Sequence, residues 1–536
     1  MVDHGFILTW HFSLMIAVGA ASLLACRNLV HYFQLESYQF PGYFRTLRRN
    51  WLRAALPGVL VAAAALAGTG LFYAALGWGL AGAILNAAWV IGAGYLVQRL
   101  FKDPHAKKKM VYTARLKRLY AVAAVIWLAV LLLAAFTSPA LVWPLCLFPL
   151  LLPLWVALAG LCAWPIEKLI SEMYFRDAQR MLRARPDLIK IGITGSYGKT
   201  SVKFILGTLL GEKYQTLVTP SSFNTPMGVT KVIRTKLQPT HQVFVAEMGA
   251  RHVGDIKEMC RLVHPTYGVL TSVGPQHLDT FHTLDRVKST KYELMDAVPT
   301  EGCCFFPDDG AICRELYDQT AKEKRLCSLR PAPDADVWAE DISVSPAGSR
   351  FLLCTAAEKT PCETRLLGEH NIQNILLAAT VCLRLGLTAR QISRGIAKLT
   401  PVEHRLQLLP PRGGMTIIDD AFNSNPRGAE AALRVLAGFE GRRIIITPGM
   451  VELGAEEARF NREFGRKLAG AADVAILVGP RHTAPIAEGL REAGFPEEHI
   501  HTVASLAEAS ALLRQMSRPG DVALFENDLP DNYAEQ

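Results

Sequence analysis

The sequence predicts an α-helical membrane domain joined to an α/β part, in which a P-loop central domain with a parallel sheet precedes a C-terminal Rossmann-like α/β domain. Three observations predict it. Five apolar stretches lie before residue 164, each near the roughly twenty residues that a spanning helix needs. Beyond them, short β-branched runs alternate with helical patterns, as in parallel sheets covered by helices. One such run leads directly into a glycine-rich turn, IGITGSYGKTS, at 191–201.

The five stretches are 7–26, 56–75, 78–97, 119–136 and 140–163, and none contains a charged residue. The first lacks a basic leader and four more follow it, so it reads as an anchor and not as a cleaved signal. Lys and Arg resist translocation, which makes the loops report orientation. Residues 27–54 carry Arg27, Arg45, Arg48, Arg49 and Arg53, and 98–118 carry Arg99, Lys102, Lys107, Lys108, Lys109, Arg115, Lys117 and Arg118. The two short opposite loops carry none. The expectation is a multi-pass protein of the cytoplasmic membrane, with its N-terminus outside and everything after Trp164 in the cytoplasm.

The formal charge of +9 is unevenly spread: residues 1–163 hold 13 of the 57 basic and 3 of the 48 acidic residues, leaving 44 against 45. The basicity therefore belongs to the membrane loops, where it suits anionic lipid headgroups and excludes a nucleic-acid partner. A transporter is excluded on another ground, since no span holds the internal charge that marks a substrate pathway. Eleven cysteines occur without a C-x-x-C pair, which leaves no zinc or redox motif. Cys303 and Cys304 read as part of a buried strand.

Residues 1–163 thus form one domain, and 164–187 read as an amphipathic helical connector leaving the membrane. Strands are expected at 188–193, 242–248, 266–273, 415–420, 442–447, 473–479 and 521–526. The pattern breaks at TPVEHR (400–405), which divides a central domain, 188–402, from a C-terminal one, 403–536.

A strand, a glycine-rich turn and a helix aim backbone N–H groups at phosphates, with Lys199 reaching the terminal phosphates and Thr200 placed for Mg²⁺. The turn departs from the general P-loop, because Ile193 stands where that pattern has glycine. The form here, T-G-S-x-G-K-T, resembles the Mur ligases and their folylpolyglutamate synthetase relatives, which join a carboxylate to an amine through an acyl phosphate. Further motifs extend the resemblance in order: FNTPMGV (223–229), VAEMGARHVGDI (245–256), VGPQHLDTF (273–281), STKYEL (289–294), LLGEHNIQNILLAA (366–379), EHRLQ (403–407) and IIDDAFNSNP (417–426).

The resemblance implies a site. Thr194, Gly195, Ser196, Gly198, Lys199, Thr200 and Ser201 would hold the phosphates of ATP, Asn371 and Asn374 would lie by the adenine, and Arg405 and Asp420 would reach the nucleotide from the C-terminal domain. Thr200, Glu247, His277 and a carbamylated Lys291 would hold two Mg²⁺, with Lys199, His277 and Lys291 as catalytic groups. IIDDAFNSNP and PGMVELGAEE (448–457) most resemble the branch that adds D-alanyl-D-alanine to a muramoyl-peptide cell-wall precursor.

Two departures qualify the resemblance. The UDP-sugar-binding N-terminal domain of such ligases is absent and five membrane helices stand in its place, which points to a lipid-linked acceptor. Where that branch has a Lys-Gly-Ser turn near the incoming amine, this sequence reads FENDLPDNY (525–533), and Asn461 falls where a histidine is expected. Two alternatives stay open: a related ligase for another polymer of the poly-γ-glutamate kind or for a lipid-linked acceptor, and a non-catalytic nucleotide-binding membrane scaffold. Nothing in the sequence fixes the oligomeric state.

Overall fold

The computed structural model describes residues 4–77, 79–102, 109–137, 144, 146–220, 223–422 and 424–528. Lys107, Lys108, the opening of the last expected span at 140–143, Asn423 and the tail from 529 onward lie outside the described residues. The chain forms two compact units, Met1–Glu172 and Met173–Gln536.

The first unit is helical: α1 (His4–Ala25), α2 (Arg27–Leu35), α3 (Phe40–Arg49), α4 (Trp51–Leu76), α5 (Leu80–Leu100), α6 (Ala114–Thr137) and the start of α7 (Leu152–Arg183). Five stretches are long and apolar enough to cross a membrane: Thr9–Leu35, Trp51–Leu76, Leu80–Leu100, Ala114–Leu133 and Phe148–Arg183. Their number matches the expectation. Trp10, Leu14, Phe33, Trp127 and Trp155 fill the interior, while Leu66, Leu71, Leu85 and Leu128 face outward. Small residues let the helices touch closely: a Cβ on Gly94 of α5 would stand 2.6 Å from the Ala21 Cα of α1.

The expected connector is no separate element. Residues 164–183 continue α7 through Pro165, and the helix stops at Arg183. In its last turns Phe175, Ala178 and Leu182 are buried in the core of the second unit, beside Val229, Phe244 and Leu262.

The second unit holds two sheets. The larger comprises β1 (Ile189–Thr194), β2 (Thr216–Val218), β3 (Val243–Glu247), β4 (Tyr267–Leu270), β5 (Cys303–Pro307), β6 (Lys324–Ser328), β7 (Val337–Ser345), β8 (Gly348–Cys354) and β9 (Lys359–Thr364), in the order β2-β3-β1-β4-β5-β6-β7-β8-β9. From β2 to β7 all pairs are parallel; β7-β8 and β8-β9 are antiparallel. The sheet expected to be parallel is therefore mixed. The physical reason is the exposed face of the last strands: Lys359–Thr364 alternates exposed and buried residues, as an antiparallel strand half in water does. The chain winds to one side of β1 through β3 and β2, then crosses to the other with β4, which opens a crevice at the carboxyl ends of the strands.

Helices α8 (Lys199–Leu210), α9 (Pro226–Lys236), α10 (Asp255–Val263), α11 (Leu278–Phe281), α12 (Leu284–Ala297), α13 (Ile312–Gln319), α14 (Glu369–Arg384) and α15 (Ala389–Ala397) cover this sheet. The smaller sheet runs β10 (Gln407–Arg412), β11 (Met415–Asp420), β15 (Val522–Glu526), β12 (Arg443–Thr447), β13 (Val474–Val478) and β14 (Ile500–Val503), parallel except for β10. Its helices are α16 (Pro426–Ala437), α17 (Glu457–Leu468), α18 (Pro480–Glu492) and α19 (Leu506–Met516).

Candidate active site

β1 ends at Thr194, whose hydroxyl donates to the Met248 carbonyl at 3.0 Å, and the chain then turns through Gly195–Gly198 into α8. Gly198 sits at φ +78°, where an added Cβ would come within 2.9 Å of Asn374 Oδ1; at Gly195 it would lie 2.1 Å from Thr271 Oγ1. Only glycine fits this turn. The Ser196 hydroxyl donates to the Gly274 carbonyl at 2.9 Å, and the Tyr197 amide donates to Ser272 Oγ at 2.8 Å, which locks the loop to the segment after β4.

Lys199 folds back on its own loop, donating to the carbonyls of Gly195 at 2.6 Å and Ser196 at 3.1 Å. Burial pulls its ammonium down to about 8, against the attraction of Glu247. Next along α8, the Thr200 hydroxyl lies 3.1 Å from both oxygens of Glu247, the last residue of β3. That carboxylate also accepts from Asn224 at 3.2 Å and from Lys203 at 2.9 Å, and the Lys203 and Glu247 side chains are shut off from solvent.

The loop opens onto a cleft of about 530 Å³, lined from the central domain by Gly198, Thr200, Ser201, His370, Asn371 and Asn374, and from the C-terminal domain by Arg405, Asp420 and Phe422. Asn371 is anchored at the start of α14 by donation to the Leu367 carbonyl at 2.8 Å. Burial holds the His370 ring down to about 4, so it faces the cleft uncharged at neutral pH. The Arg405 guanidinium stacks over the Phe422 ring at 4.4 Å. Asp420 accepts from the Leu406 amide at 3.1 Å, and burial together with nearby Glu526 lifts its carboxyl to about 7.

The structure thus gathers Gly198, Thr200, Ser201, Asn371, Asn374, Arg405 and Asp420 around one cleft, with Thr194, Gly195, Ser196 and Lys199 in the glycine-rich turn beside it. The expected metal set is less concentrated. Thr200 and Glu247 touch, while Lys291 is buried on α12 and its ammonium is driven well below the usual lysine range by burial and then by Lys199. His277, expected as a ligand, has its Nδ1 2.7 Å from Glu452 of the C-terminal domain. Among the described residues no three His, Cys, Asp or Glu side chains converge.

Sequence reasoning missed Lys203, Phe422, His370 and Glu452. Lys203 carried a usable signal, since it follows Lys199 by four and Thr200 by three and so shares their helix face. Glu452 lies in the PGMVELGAEE segment, but its partner could not be read there, because that depends on which loops the fold brings together.

A family model described as the Mur ligase middle domain matches residues 193–382, and one described as the Mur ligase, glutamate ligase domain matches 404–526. The UDP-N-acetylmuramoyl-tripeptide–D-alanyl-D-alanine ligase of Mycobacterium tuberculosis (strain H37Rv) is 32% identical over 358 residues, covering 63% of this chain and 69% of that one. The chain belongs to the Mur ligase family. The Escherichia coli (strain K12) ligase of the same name is 30% identical over 324 residues, covering 60% of this chain and 72% of the relative. Among solved structures, MurF from Acinetobacter baumannii superposes with a TM-score of 0.61 at 24% identity, over 68% of this chain and 78% of that chain. MurF ligase from Thermotoga maritima in complex with ADP gives 0.60 at 23% identity, over 67% and 80%.

As a Mur ligase the protein is an ATP-dependent ligase, and its site fits that nucleotide with Mg²⁺. The phosphate loop is a cradle that a Cβ would fill, and the Thr200 hydroxyl and Glu247 carboxylate supply hard oxygen donors side by side. Mg²⁺ keeps waters and substrate phosphates in its shell, so a site of few protein ligands suits it better than a closed cage would.

Proposed function

We propose that this ligase adds D-alanyl-D-alanine, or an amine of that class, to the free carboxylate of a muramoyl-peptide cell-wall precursor at the cytoplasmic face of the membrane. The observation that carries the reading is the cleft in which the loop of Lys199 and Thr200, with Glu247 beside it, faces Arg405 and Asp420 of the C-terminal domain. The precursor's carboxylate oxygen attacks the γ-phosphorus of ATP, the bond to the β–γ bridging oxygen breaks, and ADP leaves. The amine nitrogen then attacks the acyl carbon, gives up a proton, and displaces inorganic phosphate to leave an amide.

Chain residues supply position and charge, the main contributions in phosphoryl transfer. Lys199 exchanges its loop carbonyls for the β- and γ-phosphates. Asn371 and Asn374 hold the adenine end, and Arg405 and Asp420 meet the nucleotide from the other domain. Thr200, Glu247, His277 and Lys291 are the residues that would hold two Mg²⁺, which when bound screen the phosphates against the arriving carboxylate. Burial supports carbamylation of Lys291: its amine adds carbon dioxide, loses a proton, and turns from a cation into an anion.

Five apolar helices with outward-facing leucines support a location in the cytoplasmic membrane, with the N-terminus outside and an acceptor carried on a lipid. A second reading differs in the amine, and the end of β15 favours it. In place of the basic Lys-Gly-Ser turn of the D-alanyl-D-alanine branch stand Glu526, Asn527 and Asp528, with the Glu526 carboxyl buried.

The test is phosphate release and product mass for the detergent-purified chain with ATP, Mg²⁺ and D-alanyl-D-alanine, offered a UDP-linked or a lipid-linked muramoyl tripeptide. Ligation of the lipid-linked acceptor alone supports the membrane reading. Product with neither, while other amines release phosphate, moves the assignment to the second reading.

A further inference from the structure

Glu452 belongs to the C-terminal domain, yet both of its oxygens are taken by the central one. Oε2 lies 2.7 Å from His277 Nδ1, and Oε1 lies 3.3 Å from the Arg251 guanidinium. Arg251 follows β3 and Glu247, and His277 follows β4, so the carboxylate joins two loops at the carboxyl ends of the strands that flank β1. The His277 and Glu452 side chains are 14% and 16% exposed, which sets the pair apart from a solvated surface ion pair.

Both residues have left-handed backbones, His277 at φ +51° and Glu452 at φ +65°, a conformation that side chains other than glycine seldom adopt. The loop that presents Glu452 is held firmly. Asn461 Oδ1 accepts from the Met450 amide at 2.9 Å, and its Nδ2 donates to the Met450 carbonyl at 2.9 Å. Asn527 Nδ2 donates to the Gly449 carbonyl at 2.5 Å. The departure at Asn461 noted in the sequence is thus the clamp of this loop.

A carboxylate can only accept, so the Nδ1 that faces it carries a proton, which leaves Nε2 as the nitrogen able to take a metal. Metal-binding histidines are regularly oriented by an outer carboxylate in this way. We propose that Glu452 is the positioning residue that fixes His277 in its Nε2-ligating form, so that a side chain of the C-terminal domain orients a metal ligand of the central one. The proposal rests on the reading of His277 as a metal ligand.

The test measures Mn²⁺ binding by electron paramagnetic resonance to the full detergent-purified chain, with a non-hydrolysable ATP analogue present, for wild type, Glu452→Gln, Glu452→Ala and His277→Ala. Losing the outer carboxylate that orients a metal-binding histidine costs about 10–100-fold in metal affinity. The expected result is a loss in that range for both Glu452 variants, a loss at least as large for His277→Ala, and no change in affinity for the analogue measured without metal. The apparent Mg²⁺ requirement for turnover should rise in Glu452→Gln, while kcat at saturating Mg²⁺ stays near wild type. Weakened Mn²⁺ binding in His277→Ala with wild-type binding in both Glu452 variants overturns the positioning role and leaves the ligand reading standing. Wild-type binding in all three overturns both. Because Glu452→Gln keeps shape and size, it gives the answer even where Glu452→Ala fails to fold.

Discussion

The Lys199 ammonium donates to the carbonyls of its own loop, and burial weakens its hold on the proton. Lys199→Ala is expected to abolish ATP turnover, read as ADP formation. Lys291→Ala should do the same, with partial recovery on adding short carboxylates that stand in for the carbamate. Full activity of either variant would remove that residue from the site. Lys203 makes a different demand, since it neutralises Glu247 where neither side chain meets water. Lys203→Met leaves a buried carboxylate uncompensated and should cost about 3–5 kcal/mol in unfolding free energy. Glu526 gives a pH dependence. Burial raises its carboxyl to about 7, against donation from Ser424 and Thr447. A raised folded value means stability that is full below pH 4.5 and lost as pH rises through about 7, on the order of 3 kcal/mol. Glu526→Gln should remove that loss, so thermal unfolding ought to find the variant more stable at pH 8 and little changed at pH 4.

At the scale of elements, the phosphate loop is where sequence and structure agree most closely. The strand, the positive-φ glycine and the helix start are each dictated by local residues, and the resemblance in T-G-S-x-G-K-T is what implies a phosphate-binding role for them. Gly198→Ala tests this, because its Cβ meets Asn374 and its backbone is left-handed. Nucleotide affinity should fall by at least tenfold, read by calorimetric titration. Six of the seven expected strands match within one residue at each end, and the seventh, 266–273, stops three residues earlier at Leu270, because buried parallel strands are continuous β-branched runs. The short parallel strands β2, β6 and β14 were not legible, and neither were β7–β10, which make the antiparallel edges. The latter are half exposed, carry Glu, Lys, Pro and Ser among their apolar residues, and so lack such runs. The connector is helical as expected to Arg183, and it continues the last apolar helix through Pro165. Which loops meet across the cleft, as at Glu452 and His277, has no local signal at all.

For the whole molecule, the second unit carries its own cores and the complete phosphate loop. Removing residues 1–163 is therefore expected to leave nucleotide binding intact while lowering turnover of a lipid-linked acceptor by an order of magnitude or more. Equal turnover by the shortened chain would reduce the helices to an anchor.

All eleven cysteines are free thiols, and ten of them are buried; Cys162, on the apolar stretch of α7, is the exposed one. In the ligase unit burial lifts the Cys260, Cys303, Cys304 and Cys362 thiols to about 11 or 12, so they stay protonated and slow to react. To a maleimide, the catalytic half of this protein is nearly blank. A thiol introduced on each side of the cleft could carry a spin label or fluorophore pair without stripping the native cysteines from the core, and the distance between the labels would report the opening and closing of the two domains during a single turnover.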